Sequence, residues 1–344
     1  MEAKKSQGYI LAQSEYFNLK TLAEIIIEEA YTTSSIEGEQ LDRNTIRSSV
    51  AKRLGLPTAG LPDIKRNTDG LVEILIDATS NYKVTMIKDR LFGWHAALFP
   101  TGHSGMFKIK VAGWREHKTS MEVISGAKGK EKIHYVAPPS RKVPNEMDKF
   151  IDWWNNPPSG LDGILRAALA HFWFISIHPF EDGNGRIARF ITDMALAQEE
   201  KTSKRLYSLS TQIIEDKKNY YDILEKNQKG GGDITEWIVW FLNMYTQSIV
   251  NSKNLIEKAI LLAKFYERIA SIKLNERQNK VIAKLLETLP KDFQGGLTNK
   301  NYVSITKTST ESAKRDLRDL VDKKILLTNK GRGRSTSYRL NREF

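Results

Sequence analysis

The sequence predicts a mainly α-helical protein with one small β-hairpin and a separate basic module at its C-terminal end. Apolar residues at helical spacing dominate the first 100 residues and return after the hairpin. Between Gly113 and Pro139, two short β-prone runs flank a turn rich in Gly and Lys. From Gly296 onward, twelve Lys and Arg residues stand against five acidic residues, which supplies +7 of the net charge of +12. This asymmetry separates a basic tail from a nearly balanced body.

The helical prediction follows the apolar spacing along the chain. In LKTLAEIIIEEAYTTSSIEGEQL, the residues Leu22, Ile25, Ile26 and Ala30 share one helix face. PTAGLPD breaks that pattern, and helical segments resume in DGLVEILIDAT and IKDRLFGWHAALFP. We therefore expect an N-terminal helical region over residues 1–90 and a mainly helical core over residues 91–250.

The most apolar run of the core is ILRAALAHFWFISI, residues 164–177. It is too short to span a bilayer and carries Arg166 and His171, so it is predicted to be a buried core helix. His171 is expected to be a core histidine with satisfied hydrogen bonds. No membrane partner is expected from these features.

The C-terminal tail has the composition of a small DNA- or protein-binding module. TSTESAKRDLRDLVDKK places Thr308 and Glu311 at capping-box spacing and points Lys314, Arg315 and Arg318 outward. ILLTNKGRGRSTSYRL then indicates two strands around a basic turn. This order resembles a winged helix-turn-helix domain, expected over 274–344 after a connecting helix at 251–273. Such domains bind DNA or dock other proteins, and the sequence leaves both open.

The amino-acid composition indicates the cellular compartment. The 40% hydrophobic and 27% charged content is ordinary for a globular protein. The chain has no cysteine and no secretory signal is evident, so a cytoplasmic location is expected.

The stretch SIHPFEDGNGRIARF, residues 176–190, lies between two predicted helices. A helix N-terminus preceded by Gly-Asn-Gly offers free backbone N–H groups to an anion. Arg186 and Arg189 oppose the helix dipole in the first turn, so we expect an anion to meet them. The alternative is a plain turn with solvated arginines, which the whole constellation disfavours.

Residues 178–189 resemble the Fic-domain signature, HxFx[DE]GNGRxxR, at every specified position. The resemblance covers roughly residues 10–250. It implies a Fic helical core with a β-hairpin flap, and transfer of AMP from ATP to a Ser, Thr or Tyr hydroxyl of a target protein.

The same resemblance implies roles for individual residues. His178 would be the general base, and Asp182 would hold Mg²⁺. The ATP phosphates would be bound by Gly183, Asn184, Gly185, Arg186 and Arg189.

The resemblance also implies two further sets of residues that border the nucleotide. The flap residues are Ile133, His134, Tyr135 and Val136, for which the alternative is an ordinary exposed hairpin. The adenosine-pocket residues are Tyr220, Tyr221 and Gln228, for which the alternative is core packing.

The segment TSSIEG, residues 33–38, resembles the inhibitory motif of the family, [ST]xxxE[GN]. The carboxylate of Glu37 would bind Arg189 in place of the γ-phosphate and leave ATP misaligned. An autoinhibited protein adenylyltransferase is therefore expected, and the sequence does not decide whether it also removes AMP.

Two other functions stay open. One is a nucleotide-sensing, DNA-binding transcription regulator, which the intact base His178 disfavours. The other is a Fic enzyme that transfers or removes a different phosphate-linked group, which the Gly-Asn-Gly-Arg run disfavours. Expected partners are ATP, a protein target and, through the tail, DNA; a homo-oligomer is neither favoured nor excluded.

Overall fold

The computed structural model describes residues 19–58, 61–116, 121–125, 132–289, 291, 293–329 and 336–342. Within this part of the chain the fold is mainly α-helical, with three small antiparallel sheets, and the predicted fold class is confirmed. The chain divides into two compact units, Met1–Ser252 and Lys253–Phe344. None of the helices in the described ranges is both long enough and apolar enough to cross a membrane.

In the described residues of the first unit, four helices and two hairpins come first. The helices are α1 (Leu19–Ile36), α2 (Arg43–Arg53), α3 (Arg66–Ser80) and α4 (Lys88–Leu98). The first hairpin pairs β1 (His103–Ser104) with β2 (Phe107–Lys108), and the sequence pattern does not predict it. The predicted hairpin is present as β3 (Glu122–Ser125) paired with β4 (Lys132–Val136), and we call it the flap.

A 3₁₀ turn at Ser140–Lys142 leads from the flap back into helices. These are α5 (Val143–Asn155), α6 (Gly163–Ile177), α7 (Asn184–Glu200), α8 (Leu209–Glu215), α9 (Lys217–Gln228) and α10 (Thr235–Ile269). The last of them continues past the division between the two units.

Helices α6 and α7 form the centre of the first unit and pack on each other more extensively than any other pair in the described residues. Asp162 caps α6 by accepting hydrogen bonds from the backbone N–H groups of Ile164 and Leu165. Helix α7 is buried along almost its whole length, with α3 against it, while α5 packs on α6. The short connection between α6 and α7 is therefore held at both ends by buried helices.

Helix α1 is fastened to the body by buried carboxylates. Glu24 binds Arg47 of α2 at 2.5 Å, and both side chains are largely buried. Glu29 accepts hydrogen bonds from the hydroxyls of Ser208 and Ser210 at the start of α8. Because breaking a buried pair leaves an uncompensated charge, these contacts fix the position of α1.

After α10, the part of the second unit that the structure describes holds three helices and a three-stranded sheet. Its elements are α11 (Glu276–Glu287), β5 (Leu297–Thr298), α12 (Asn299–Thr306), α13 (Thr310–Asp322), β6 (Leu326–Thr328) and β7 (Ser337–Leu340). The strands are antiparallel in the order β5–β7–β6. A core that includes Leu285, Leu317 and Leu326 joins the helices to the sheet.

The predicted cap of α13 is wrong by one residue. Ser309, not Thr308, is the N-cap, and its hydroxyl accepts from the backbone N–H of Ser312 at 3.2 Å. Serine and threonine are both good caps, so spacing alone does not choose between neighbours. The outward positions of Lys314, Arg315 and Arg318 are confirmed, whereas the basic turn of the predicted wing, at 330–335, lies outside the described residues.

Candidate active site

The connection between α6 and α7 is held rigidly by its own side chains. Phe180 is fully buried, and its ring stacks on His95 with 4.2 Å between ring centroids. The amide of Asn184 brackets Phe180, accepting from its N–H and donating to its C=O, both at 2.9 Å. The Asn184 side chain therefore shapes the loop, and only its backbone is left to meet an anion.

His178 follows α6 in a left-handed conformation, with φ 51°. Its Nδ1 lies 3.3 Å from the carbonyl oxygen of Ile175, and because a carbonyl only accepts, Nδ1 carries the proton. Burial, as the largest cause, and Arg115 lower the pKa of His178 to about 4 against the opposing effects of the Ile175 bond, Glu37 and Asp182. At neutral pH the ring is uncharged, with Nε2 able to accept a proton.

Asp182 presents a single carboxylate at the end of the same loop. One oxygen accepts from the backbone N–H of Gly183 at 2.6 Å, and the other accepts from the hydroxyl of Ser104 in β1. Mg²⁺ in nucleotide sites is commonly bound by one or two carboxylates together with substrate phosphates. The residues present therefore fit a metal ion that is shared with a nucleotide.

His95 supports this carboxylate loop from α4, a role that no sequence pattern predicts. Its Nδ1 accepts from the N–H of Ala112 at 3.2 Å, and its Nε2 donates to the backbone oxygen of Asp182 at 3.2 Å. Burial is the main reason that the pKa of His95 falls to about 4. A neutral imidazole is therefore used here as a donor and an acceptor between two loops.

Helix α7 begins at Asn184, and its N-cap Gly183 has φ 80° and no side chain. A Cβ atom at Gly183 would lie 2.8 Å from the ring of Phe99, so only glycine fits the position. Because Gly183 has no side chain, it does not block the approach to the N–H groups in the first turn of α7. This is the geometry expected of an anion site.

Arg189 lies in this first part of α7 and is 2% exposed. It donates to the hydroxyl and the carbonyl of Thr33 at 2.7 and 3.0 Å, and to Oε1 of Glu37 at 2.7 Å. Burial alone would lower the pKa of Arg189, but Glu37, Tyr220 and Tyr221 raise it, and the net shift is upward. The structure thus brings together the two residues that the inhibitory motif predicts as a pair.

A second carboxylate reaches the other arginine. Arg186 donates from Nη1 to Oε2 of Glu39 at 2.9 Å, and its guanidinium lies over the ring of Phe99. The side chain of Arg186 is 10% exposed, against 37% for Glu39. No motif predicts this role of Glu39, which the sequence shows as a second glutamate two positions beyond Glu37.

The end of α1 has a backbone geometry that explains how both glutamates are presented. The N–H of Glu39 donates to the carbonyl of Ser34, and the N–H of Gly38 donates to the carbonyl of Ser35. With Gly38 at φ 82°, this is a Schellman motif, in which the left-handed position favours Gly or Asn. The [GN] of the inhibitory motif thus has a local reason, since that residue turns the chain between the two carboxylates.

The four predicted flap residues fall into two pairs, one bonded to the core and one exposed. His134 binds Glu225 of α9 with 2.5 Å between Nδ1 and Oε2, and Tyr135 donates its hydroxyl to the carbonyl of Ser176 at 2.8 Å. Ile133 and Val136 are instead exposed at 45% and 52%. Two flap side chains therefore fasten the hairpin to the core, and two remain available to a partner.

The predicted adenosine residues also differ among themselves. Tyr220 is buried, and its hydroxyl lies 2.9 Å from Nε2 of His171, a core histidine as predicted. Tyr221 is partly exposed, and burial together with Glu37 raises its pKa to about 12. Gln228 donates to the hydroxyl of Ser176 at 3.2 Å. Of the three, Tyr220 has the surroundings of a core residue.

Comparison with known proteins agrees with this geometry. Residues 85–196 match the model of the Fic/DOC family, and residues 1–56 match a domain of unknown function, DUF4172. The chain is 26% identical over 225 residues to the protein adenylyltransferase Fic of Nematostella vectensis, covering 64% of this chain and 47% of that protein. It is also 26% identical over 198 residues to a probable protein adenylyltransferase of Aquifex aeolicus (strain VF5), covering 55% and 54% of the two chains. The chain thus spans about half the length of these curated relatives.

Solved structures share the fold. A Fic family protein from Desulfovibrio desulfuricans G20 superposes with a TM-score of 0.56 at 17% identity, over 98% of this chain and 93% of that one. A Fic domain containing signaling protein from Bacteroides thetaiotaomicron VPI-5482 gives 0.52 at 21% identity, over 77% and 97%. The segment that matches the model of the Fic/DOC family, residues 85–196, includes the complete signature at 178–189.

Proposed function

We propose that this protein is an adenylyltransferase that moves AMP from ATP to a Ser, Thr or Tyr hydroxyl of a target protein. The observation that carries the proposal is the placement of a neutral imidazole, His178, beside a helix N-terminus whose two arginines already hold anions. The names of the two sequence relatives support the same activity. ATP and a protein target are the proposed partners.

The chemistry follows from the charges of the site. The acceptor hydroxyl attacks the α-phosphorus of ATP and gives its proton to Nε2 of His178, while the bond from that phosphorus to the bridging oxygen breaks and pyrophosphate leaves. Arg186, Arg189 and the first turn of α7 are placed to bind the phosphates and stabilise the charge on the leaving group. Asp182 would hold Mg²⁺, which supplies further neutralisation of the phosphate oxygens when bound.

The resting protein is proposed to be autoinhibited. Glu37 and Glu39 pair with Arg189 and Arg186, the two cations that the outer phosphates of ATP would use. Both pairs are charge-assisted hydrogen bonds, so nucleotide must compete for both arginines. Release of the end of α1 would then be the activating step.

The test is mass spectrometry of the intact protein and its peptides after incubation with ATP and Mg²⁺. We expect a mass increase of one AMP per modified hydroxyl, more in Glu37→Gly than in wild type, and none in His178→Ala. A mass increase of one phosphate would contradict AMP transfer and favour a different phosphate-linked group. Equal labelling of wild type and Glu37→Gly would contradict the autoinhibition.

A second candidate function concerns the C-terminal unit. In α13, Lys314, Arg315 and Arg318 are all exposed, and the helix follows the short helix α12 as the recognition helix of a winged helix-turn-helix does. We propose duplex DNA as its partner, with the intact chain acting as a nucleotide-sensing regulator in that case. Gel shifts with an unrelated duplex at two salt concentrations test it, because phosphate contacts weaken with salt. The absence of a shift at low salt would exclude this role.

The proposed location is the cytoplasm, on the basis of a chain without cysteine.

A further inference from the structure

The C-terminal end of α6 is capped by donors from the segment that carries the flap. The last carbonyls of a helix have no partner within the helix and need donors from elsewhere. Here the carbonyl of Ser176 accepts from the hydroxyl of Tyr135, at 2.8 Å. Those of Ile177 and His178 accept from the guanidinium of Arg115, at 3.3 and 2.6 Å. A cation at this end of a helix also meets the negative end of the helix dipole.

Arg115 reaches beyond the helix end on both sides. Its Nη2 donates to the carbonyl of Pro138 at 2.5 Å and its Nη1 to the hydroxyl of Ser140 at 3.1 Å, just after the flap strand β4. Its backbone N–H donates to the carbonyl of Pro179 at 2.9 Å. One side chain thus joins the base of the flap to the loop that carries His178.

The surroundings of Arg115 are unusual for a cation. The residue is 1% exposed, and burial lowers its pKa. Each hydrogen bond described for its guanidinium ends on a neutral oxygen, from a carbonyl or a hydroxyl. Burying a charge in this way costs free energy. The buried charge of Arg115 therefore indicates a role that a neutral side chain could not perform.

His178 is the residue that needs such support. Its left-handed backbone is disfavoured for a side chain with a Cβ atom by about 1–2 kcal/mol. A 2.6 Å hydrogen bond from Arg115 holds the carbonyl of His178 itself, while the bond from Nδ1 to Ile175 sets the tautomer. The conformation and the protonation of the imidazole are therefore fixed by separate contacts.

We propose that Arg115 is the positioning residue for the base of the reaction. It holds His178 in the conformation that presents an unprotonated Nε2, and it couples that conformation to the flap through Pro138. The inference rests on the proposed function, because Arg115 is assigned to position the general base of that reaction.

The first test uses the Glu37→Gly background, in which transfer is expected to be measurable. Arg115→Gln is expected to lower kcat about 100-fold, as misplacement of a catalytic group by about 1 Å does. The KM for ATP is expected to stay within about threefold, since none of the hydrogen bonds described for Arg115 reaches a residue assigned to the phosphates. Arg115→Lys keeps the charge but loses the planar fork, so an intermediate kcat is expected. Arg141→Gln, at an exposed position just after the flap, is the matched control with unchanged kcat.

The second readout is the titration of His178, which reports how close the charge of Arg115 lies to the imidazole ring. The charged groups that act on His178 are Arg115, which lowers its pKa, and Glu37 and Asp182, which raise it. Arg115→Gln is therefore expected to raise the pKa of His178, whereas Arg115→Lys leaves it near the wild-type value. NMR of the histidine ring in the full chain without nucleotide measures this directly.

These readouts separate the two proposals. If Glu37→Gly transfers no AMP, the proposed function fails, while the NMR titration still tests the role of Arg115. A kcat of Arg115→Gln equal to its background, or an unshifted His178 titration in that variant, overturns the positioning role. Should the glutamine variant not fold, a lysine variant with the full kcat of its background overturns it equally.

Discussion

Glu37 Oε1 occupies the space that a Cβ atom on Gly185 would need. The carboxylate therefore reaches Arg189 across the bare backbone of the first turn of α7. Because residue 185 has no side chain, the same space can be occupied either by the carboxylate of Glu37 or by a phosphate.

We expect Gly185→Ala to destabilise the wild-type protein by about 1–3 kcal/mol, as overpacking of a filled site does. In the Glu37→Gly background the space is free, and alanine, the better helix former, should be neutral or stabilising. Thermal unfolding of the four proteins in this double-mutant cycle measures the coupling. The same loss in both backgrounds would show that Glu37 does not fill the space.

Gly38→Ala should raise AMP transfer above the wild-type level. Alanine in the left-handed position costs about 1–2 kcal/mol, which loosens the turn that presents Glu37 and Glu39. Gly38→Asn is the control, because asparagine tolerates this conformation, and its activity should stay near wild type. Labelled ATP measures both variants, and equal activation by the two would contradict a backbone cause.

Glu39→Gln should tighten ATP binding by releasing Arg186. Glu39 is partly exposed, so the pair is worth at most about 1 kcal/mol, which corresponds to about fivefold in Kd. Calorimetric titration with ATP measures the change. Glu73→Gln, which removes a more exposed partner of Arg53 far from the signature loop in sequence, serves as the control with an unchanged Kd. An unaltered Kd in Glu39→Gln would mean that nucleotide does not compete for Arg186.

Stability should fall with acid through three histidines of the first unit. The pKa values of His95, His171 and His178 are lowered, first by burial, to about 4, 3 and 4. In the unfolded chain each takes up a proton near pH 6.5, so the stabilisation is complete above that pH and is lost as the pH falls toward the folded values. Each such histidine lowers the free energy of unfolding by about 1.4 kcal/mol per pH unit in this window.

Hydrogen exchange of the full chain between pH 7 and 5, corrected for the intrinsic rate, measures this loss. All six histidines lie before residue 253, so the second unit is an internal control that lacks this contribution. Protection that falls equally in both units would point to a different cause.

The sequence predicted the helical fold, the flap hairpin and the residues of the signature loop, because a motif at fixed spacing records local geometry. It also paired Glu37 with Arg189. It missed Arg115, His95 and Glu39, whose contacts depend on how separate segments meet in space. The β1–β2 hairpin was missed because two-residue strands are too short to show alternation.

The Schellman turn indicates how small a structural change would relieve the proposed autoinhibition. Glu24 and Glu29 fasten α1 upstream, whereas Glu37 and Glu39 lie beyond its last residue, Ile36. Unwinding a single terminal turn would withdraw both carboxylates and leave the rest of the helix in place. Because Thr33, Ser34 and Ile36 of this turn are buried, its opening costs free energy and is infrequent in the resting protein. Basal activity would then report the fraction of time that one helical turn is open, and any ligand that binds the frayed end would act as an activator.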